Sequence, residues 1–203
     1  MRIGVLISGG GSNLQAIIDA ICESRLDAQI VKVISSRPDA YGLQRAKAAG
    51  IESLALSREV FADPRGANEL IAREMRQAGA EYLVMAGYMR MLGAEVLDAF
   101  PDRVINLHPA LLPSFVGAHA IEDAFAAGVK VTGITIHFAN AEYDKGPIIA
   151  QRALAIGEGE SLDSLTERIH ALEHELLPEV LSLLAAGRVC IGEDRKVHIA
   201  GLA

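Results

Sequence analysis

An amide and an imidazole stand two positions apart in Asn106-Leu107-His108-Pro109. Side chains alternate along a strand, so Asn106 and His108 project to one side if the strand runs through His108. Such a pair can donate hydrogen bonds to a developing oxyanion and move a proton. A hydrogen-bonded core histidine is the plain alternative for His108. A carboxylate able to orient and charge an imidazole occurs at Asp144, in Asp144-Lys145-Gly146-Pro147, although in isolation it reads better as an acidic turn residue. A metal reading through His108, His119, His137 and Asp144 carries little weight, because no HxH, HxxxH or HExxH spacing relates them. No metal is expected.

Gly9-Gly10-Gly11-Ser12-Asn13 follows an apolar run and opens an amphipathic segment. Glycines allow a tight turn there, and the free N–H groups of a helix N-terminus attract an anion. The run lacks the lysine of a P-loop, and Leu14 stands where a dinucleotide fingerprint has its third glycine. A phosphomonoester fits it better than ATP or NAD. The competing reading is a tight turn with Ser12 or Asn13 as N-cap.

These residues need elements to position them. Ile3–Ile7, Ile30–Ile34, Ser53–Leu56, Tyr82–Ala86 and Val104–Leu107 read as strands. Between them, helices are expected over Asn13–Ser24, Tyr41–Ala49, Ala67–Ala78 and Ala94–Phe100. This alternation predicts an α/β fold with a mostly parallel sheet and helices on both faces. Pro109, Pro113 and Gly117 then punctuate a long irregular stretch. Gly133–Phe138 and Ile148–Leu154, joined by the polar loop Ala139–Pro147, predict antiparallel additions. Ser161–Ala186 reads as one long helix, with a kink expected near Leu177 because of Pro178. Val189–Ile191 and Val197–Ile199 suggest a terminal hairpin.

The 203 residues, 51% hydrophobic and 22% charged, suit one domain (1–203) with a substantial core and exclude intrinsic disorder. Nineteen basic against 26 acidic residues give a net charge of −7, which argues against a general nucleic-acid partner. The first apolar run is too short for a signal peptide or a membrane span, so no membrane partner is expected. Two distant cysteines, Cys22 and Cys190, fit a reducing cytoplasm better than a disulfide scaffold.

Six segments together carry a resemblance: VLISGGGSNLQAII at the start, AGYMRML (86–92), INLHPALLP (105–113), GITIHF (133–138), DKGPIIAQ (144–151) and ERIHALEHELLP (167–178). In this order and spacing the chain resembles the glycinamide ribonucleotide formyltransferases, folate-dependent transferases of purine biosynthesis, over nearly its whole length. The wider group that uses N10-formyltetrahydrofolate shares the Asn, His and Asp set, so the GGGSN opening points to the acceptor. Relatives acting on methionyl-tRNA carry an added C-terminal domain and the deformylases an N-terminal regulatory one. A chain of this length with its first strand at Ile3 is expected to hold neither.

The resemblance implies a single Rossmann-like domain, its first half binding phosphate and its second half folate. It implies transfer of a formyl group from N10-formyltetrahydrofolate, as co-substrate, to the amine of glycinamide ribonucleotide. Asn106 and protonated His108 are then expected to stabilise the oxyanion, with Asp144 favouring the charged imidazole. Gly11, Ser12 and Asn13 are implied to hold the phosphate, and His170 and Glu173 the ribose and glycinamide end, although a solvated stripe with Glu167 and His174 is the bland alternative for that helix. Met89, Arg90, Met91 and Leu92, with the loop Asn140, Ala141, Glu142, Tyr143 and Asp144, would line the folate cleft alongside Asn106. Arg65 is the nearest candidate for a folate-side arginine. Ala110 and Val116 depart from the family's usual Ser and Pro, which bears on loop packing rather than chemistry. A homodimer is left open.

Overall fold

The computed structural model describes residues 1–201; Leu202 and Ala203, part of the expected single domain, lie outside the described residues. Strand β1 (Arg2–Ile7) leads through the glycine loop into helix α1 (Ser12–Cys22). Then follow β2 (Gln29–Ser35), α2 (Gly42–Ala48), β3 (Ser53–Ala55), α3 (Pro64–Gln77), β4 (Tyr82–Met85), α4 (Ala94–Leu97) and β5 (Val104–His108). These five strands lie parallel, and β6 (Val131–Phe138) and β7 (Ile148–Ala155) extend the sheet antiparallel, in the order β3-β2-β1-β4-β5-β6-β7. The expected mostly parallel α/β sheet with antiparallel additions is what the chain forms.

Alternation in β1 divides the core. Ile3, Val5 and Ile7 join Leu14, Ile17 and the buried face of the long helix on one side of the sheet. Leu6 packs with Ile34, Ile71 and Met75 on the other. Sheet order reverses direction at β1, between β2 and β4, so the crevice beyond the carboxyl ends of β1 and β4 is a topological switch point, where open α/β sheets bind ligands.

Helix α6 (Leu162–Ala185) starts at Ser161, whose side chain accepts from the Ser164 N–H, and it continues through the buried Pro178. Its buried stripe includes Leu165, Ile169, Leu176, Val180 and Leu184, but at the expected place of Leu172 it is Glu173 that is buried. The stretch expected to be irregular after β5 holds one further helix, α5 (Ala120–Ala126), of two turns and few buried residues. Strands β8 (Val189–Ile191) and β9 (Val197–Ile199) form the terminal hairpin.

Candidate active site

The glycine loop does not follow the competing reading of a side-chain cap. Neither Ser12 nor Asn13 caps α1; the N-cap is Gly11, at φ 70°, without a side-chain cap. A Cβ at Gly11 would lie 2.6 Å from the Gly42 Cα, so the close approach of α2 and the left-handed backbone both require glycine. Among the described residues the N–H groups of Gly10, Gly11, Ser12 and Asn13 donate to no protein group. Four unpaired amides at the start of a helix form a concavity for an anion.

Glu173 lies across from this loop. Its Oε2 accepts from Asn13 Nδ2 at 2.9 Å, and burial pushes the carboxyl above the usual range while Asn13 and His170 pull it down. Asn13 Oδ1 is buried without a partner. Two acceptors side by side suit a ligand group that donates, such as a hydroxyl or an amine. His170 is exposed on the rim, so the solvated stripe holds for His170 but not for Glu173.

The strand end gathers the other set. Register pairs Asn106 with His137 and His108 with Thr135 across β5 and β6, and the chain beyond β6 brings Asp144 back over both. Asp144 Oδ1 lies 3.3 Å from Asn106 Nδ2, and its Oδ2 lies 3.4 Å from His108 Nδ1 and accepts from the Gly117 N–H at 3.1 Å. Burial pushes the Asp144 carboxyl up, but the neighbouring His137 and His108 rings and the Gly117 N–H outweigh it and hold the group below the usual carboxylate range. Asp144 and Phe115 both have φ 52°, a conformation that costs a non-glycine residue on the order of 1–3 kcal/mol and is retained where a side chain must be aimed.

His137 explains how Asn106 is held. Its Nδ1 faces the Phe138 carbonyl at 3.0 Å and so donates, which leaves Nε2 to accept from Asn106 Nδ2 at 3.1 Å. The two Asn106 amide hydrogens are thus shared between His137 and Asp144, and the amide has one orientation. His108 Nε2 donates to the Phe115 carbonyl at 2.8 Å. Burial pushes the His108 imidazole below its ordinary value, although Asp144 and Phe115 pull it up. Desolvation of the cation thus exceeds the carboxylate's attraction, which favours the neutral imidazole at rest.

Two clefts meet at this cluster. One is lined by Gly9–Asn13, Met89, Asn106, His108, Asp144, His170 and Glu173 among others. The second is lined by Arg90, Met91, Leu92, Asn140, Glu142 and Tyr143, and again by Asn106 and Asp144. Tyr88 lines both, and burial pushes its phenol up to about 12, so it stays neutral. The structure thus gathers most of the expected residues but separates some. Met89 faces the first cleft, and Ala141 lines neither. Arg65 is exposed on α3, paired with Glu69 at 2.9 Å and Glu95 at 3.8 Å, away from both clefts. Arg90, stacked 3.7 Å over the Phe61 ring, is the arginine that lines the second cleft. Among the described residues no group of three or more His, Cys, Asp or Glu side chains could hold a metal, and no helix is long and apolar enough to cross a membrane.

Sequence reasoning left His137 unassigned and missed Gly117, Phe115 and Ser8. Ser8 Oγ accepts from the Met89 N–H at 2.9 Å and so fixes the backbone between the clefts. The register of β5 against β6 was the signal available for His137.

A doubly wound sheet with a glycine loop at its switch point, and two clefts that share Asn106 and Asp144 while His108 lines one of them, is the arrangement of an α/β enzyme with two clefts at one set of acid–base groups. The chain belongs to the formyl transferase family, which matches residues 1–181. It is 39% identical to the phosphoribosylglycinamide formyltransferase of Bacillus subtilis, over 90% of this chain and 94% of that protein. It is 42% identical to the trifunctional purine biosynthetic protein adenosine-3 of Drosophila melanogaster, over 95% of this chain but only 14% of the fly protein's length. The solved glycinamide ribonucleotide transformylase 1 of Symbiobacterium toebii superposes with a TM-score of 0.94 at 44% identity, covering 98% of this chain and 93% of that one.

Proposed function

We propose that this chain transfers the formyl group of N10-formyltetrahydrofolate to the primary amine of glycinamide ribonucleotide, a step of purine biosynthesis, in the cytoplasm. The observation that carries the reading is the pair of clefts meeting at Asn106, Tyr143 and Asp144. One cleft ends in four unpaired amides suited to a phosphomonoester, and the other sets the apolar Met85, Leu92 and Leu97 beside the polar Asn106, Asn140 and Asp144, a lining that accords with a ring bearing polar edges. The names of the full-length relatives point the same way.

In this reading the loop Gly10–Asn13 holds the phosphate, and Asn13 and Glu173 accept from the donor-bearing end of the ribonucleotide. The amine forms a bond to the formyl carbon, and the carbonyl pair moves onto oxygen. The formyl oxygen takes the place of Asp144 as acceptor of one Asn106 hydrogen, and the His108 Nε2–H turns from Phe115 to the same oxygen. Donors aimed at developing charge in a dry site contribute about 3–4 kcal/mol each. The C–N10 bond then breaks while Asp144 relays the proton lost by the amine to N10, so no net proton is released. The chemistry as written calls on no metal.

The test is formation of tetrahydrofolate, followed by absorbance, from a formyl-folate donor with and without glycinamide ribonucleotide. Turnover that requires the ribonucleotide and is lost in His108→Ala supports the transferase. Formate release without the ribonucleotide would mean a deformylase, in which water replaces the amine. Tight ribonucleotide binding with no turnover would mean a binding module.

A further inference from the structure

The unpaired amides of the glycine loop do not face the cleft by chance, because α2 holds the other edge of the same peptides. The Gly9 carbonyl accepts from the Gly42 N–H at 3.1 Å, and the Gly10 carbonyl accepts from Arg45 Nε at 2.9 Å. In a trans peptide the C=O and the following N–H point in opposite directions. Drawing the Gly9 and Gly10 carbonyls toward α2 therefore turns the N–H groups of Gly10 and Gly11 away from α2. It also removes from the anion's surroundings the two carbonyl oxygens that would repel it.

Gly42 supplies this through its backbone, but Arg45 does so through a side chain. The Arg45 guanidinium is itself fixed: Nη1 donates to Gln15 Oε1 on α1 at 3.1 Å, and the Tyr41 ring lies 5.1 Å beneath it. Its fork ties the loop, the first turn of α1 and α2 into one unit. Neither cleft counts Arg45 among its lining, and it touches no member of the Asn106–His108–Asp144 cluster.

We infer that Arg45 is a positioning residue for the phosphate end of the acceptor: it sets affinity for a phosphomonoester by orienting the Gly10–Gly11 peptide, and it has no part in formyl transfer. The inference rests on the proposed function for its substrate. A lysine keeps the charge at Arg45 but cannot hold Gly10 and Gln15 in the same fork, so a bulk electrostatic role and a positioning role separate.

The experiment compares unsubstituted protein, Arg45→Lys and Arg45→Gln in steady-state transfer to glycinamide ribonucleotide and to the same acceptor without its phosphate. Loss of one charge-assisted hydrogen bond should raise the KM for the ribonucleotide about tenfold in both variants. The kcat and the KM for formyl-folate should stay unchanged, and kcat/KM for the phosphate-free acceptor should match that of the unsubstituted protein. An unchanged ribonucleotide KM, a full rescue by lysine, or an equal loss with the phosphate-free acceptor would each overturn the inference. Absence of turnover by the unsubstituted protein would instead count against the proposed function. Arg45 is then tested through calorimetric binding of ribose 5-phosphate, expected about tenfold weaker in Arg45→Gln and overturned by equal binding.

Discussion

His108 and Asp144 face one another with Nδ1 3.4 Å from Oδ2, and each side chain is only 4% exposed. The contact joins the end of a core strand to a residue held in left-handed backbone on a loop. Burial disfavours charge on both groups, yet its outcome differs. Asp144 accepts from the Gly117 N–H and shares an Asn106 hydrogen, with the two imidazoles alongside, and its carboxyl is held below the usual range. His108 has one carboxylate and one carbonyl, opposed by burial and by His137, and stays neutral.

This asymmetry fixes a pH dependence. The His108 value in the folded protein lies below its ordinary 6.5. Neutral His108 therefore contributes its stability in full above pH 6.5 and loses it as pH falls through the folded value. NMR titration of the His108 ring should show a midpoint below 6.5, and the acid limb of kcat/KM, which reports the free enzyme, should fall with it. Asp144→Asn removes the carboxylate that pulls the value up, so the midpoint should move further toward acid. A midpoint above 6.5, or no movement in the variant, would contradict the balance described.

Asp144→Asn should also separate binding from chemistry. Asparagine preserves the shape but brings an NH2 group and no charge to a site built around an anion. Substrate affinities measured by calorimetry should stay within about twofold, while turnover falls about a thousandfold, within the range for a lost acid–base group. Turnover close to that of the unsubstituted protein would remove Asp144 from the mechanism.

Much of this was legible in the chain. The alternation of apolar runs and amphipathic segments gave the sheet, and the strand-end placement of Asn106 and His108 followed from their spacing. Other relations depend on approach between distant segments, which spacing does not encode. Arg65 lies in the first turn of α3 and Arg90 between β4 and α4, and only packing decides that Arg65 pairs with Glu69 while Arg90 stacks on Phe61. Asp144 was visible as a turn residue, but its closeness to His108 needs the return of the chain after β6. Glu173 was named through the resemblance, but its burial was not legible: a carboxylate in an apolar stripe breaks the helical pattern, and its partner is Asn13 on another helix. The resting charge of His108 is a difference between burial and attraction, and sequence holds neither magnitude.

His137 holds the Asn106 amide in its one orientation, so it should act as a positioning residue. His137→Ala frees one Asn106 hydrogen and lets the amide rotate, and misplacement of that kind is expected to lower kcat by up to about 100-fold. The KM for the ribonucleotide should change little, because His137 lines only the second cleft and leaves the phosphate loop untouched. His137→Gln returns an oxygen acceptor to the neighbourhood of Asn106 and should recover part of the loss. Equal kcat values for the Ala and Gln variants would show that the acceptor is not what His137 supplies.

Gly11 gives the strictest test of the loop geometry. An alanine there must adopt φ near 70° and place its Cβ against the Gly42 Cα, 2.6 Å away if nothing moves. A backbone of that kind costs a non-glycine residue about 1–3 kcal/mol. In a chain of this size that corresponds to a fall in Tm of roughly 2–12 °C. Relief requires α2 to retreat, which would weaken the Gly42 N–H bond to the Gly9 carbonyl and the Arg45 bond to Gly10. The KM for the ribonucleotide should therefore rise while the KM for formyl-folate holds, since the second cleft shares no residue with the loop. A Gly11→Ala variant that melts with the unsubstituted protein and binds the ribonucleotide equally well would show that α2 does not press on the loop as described.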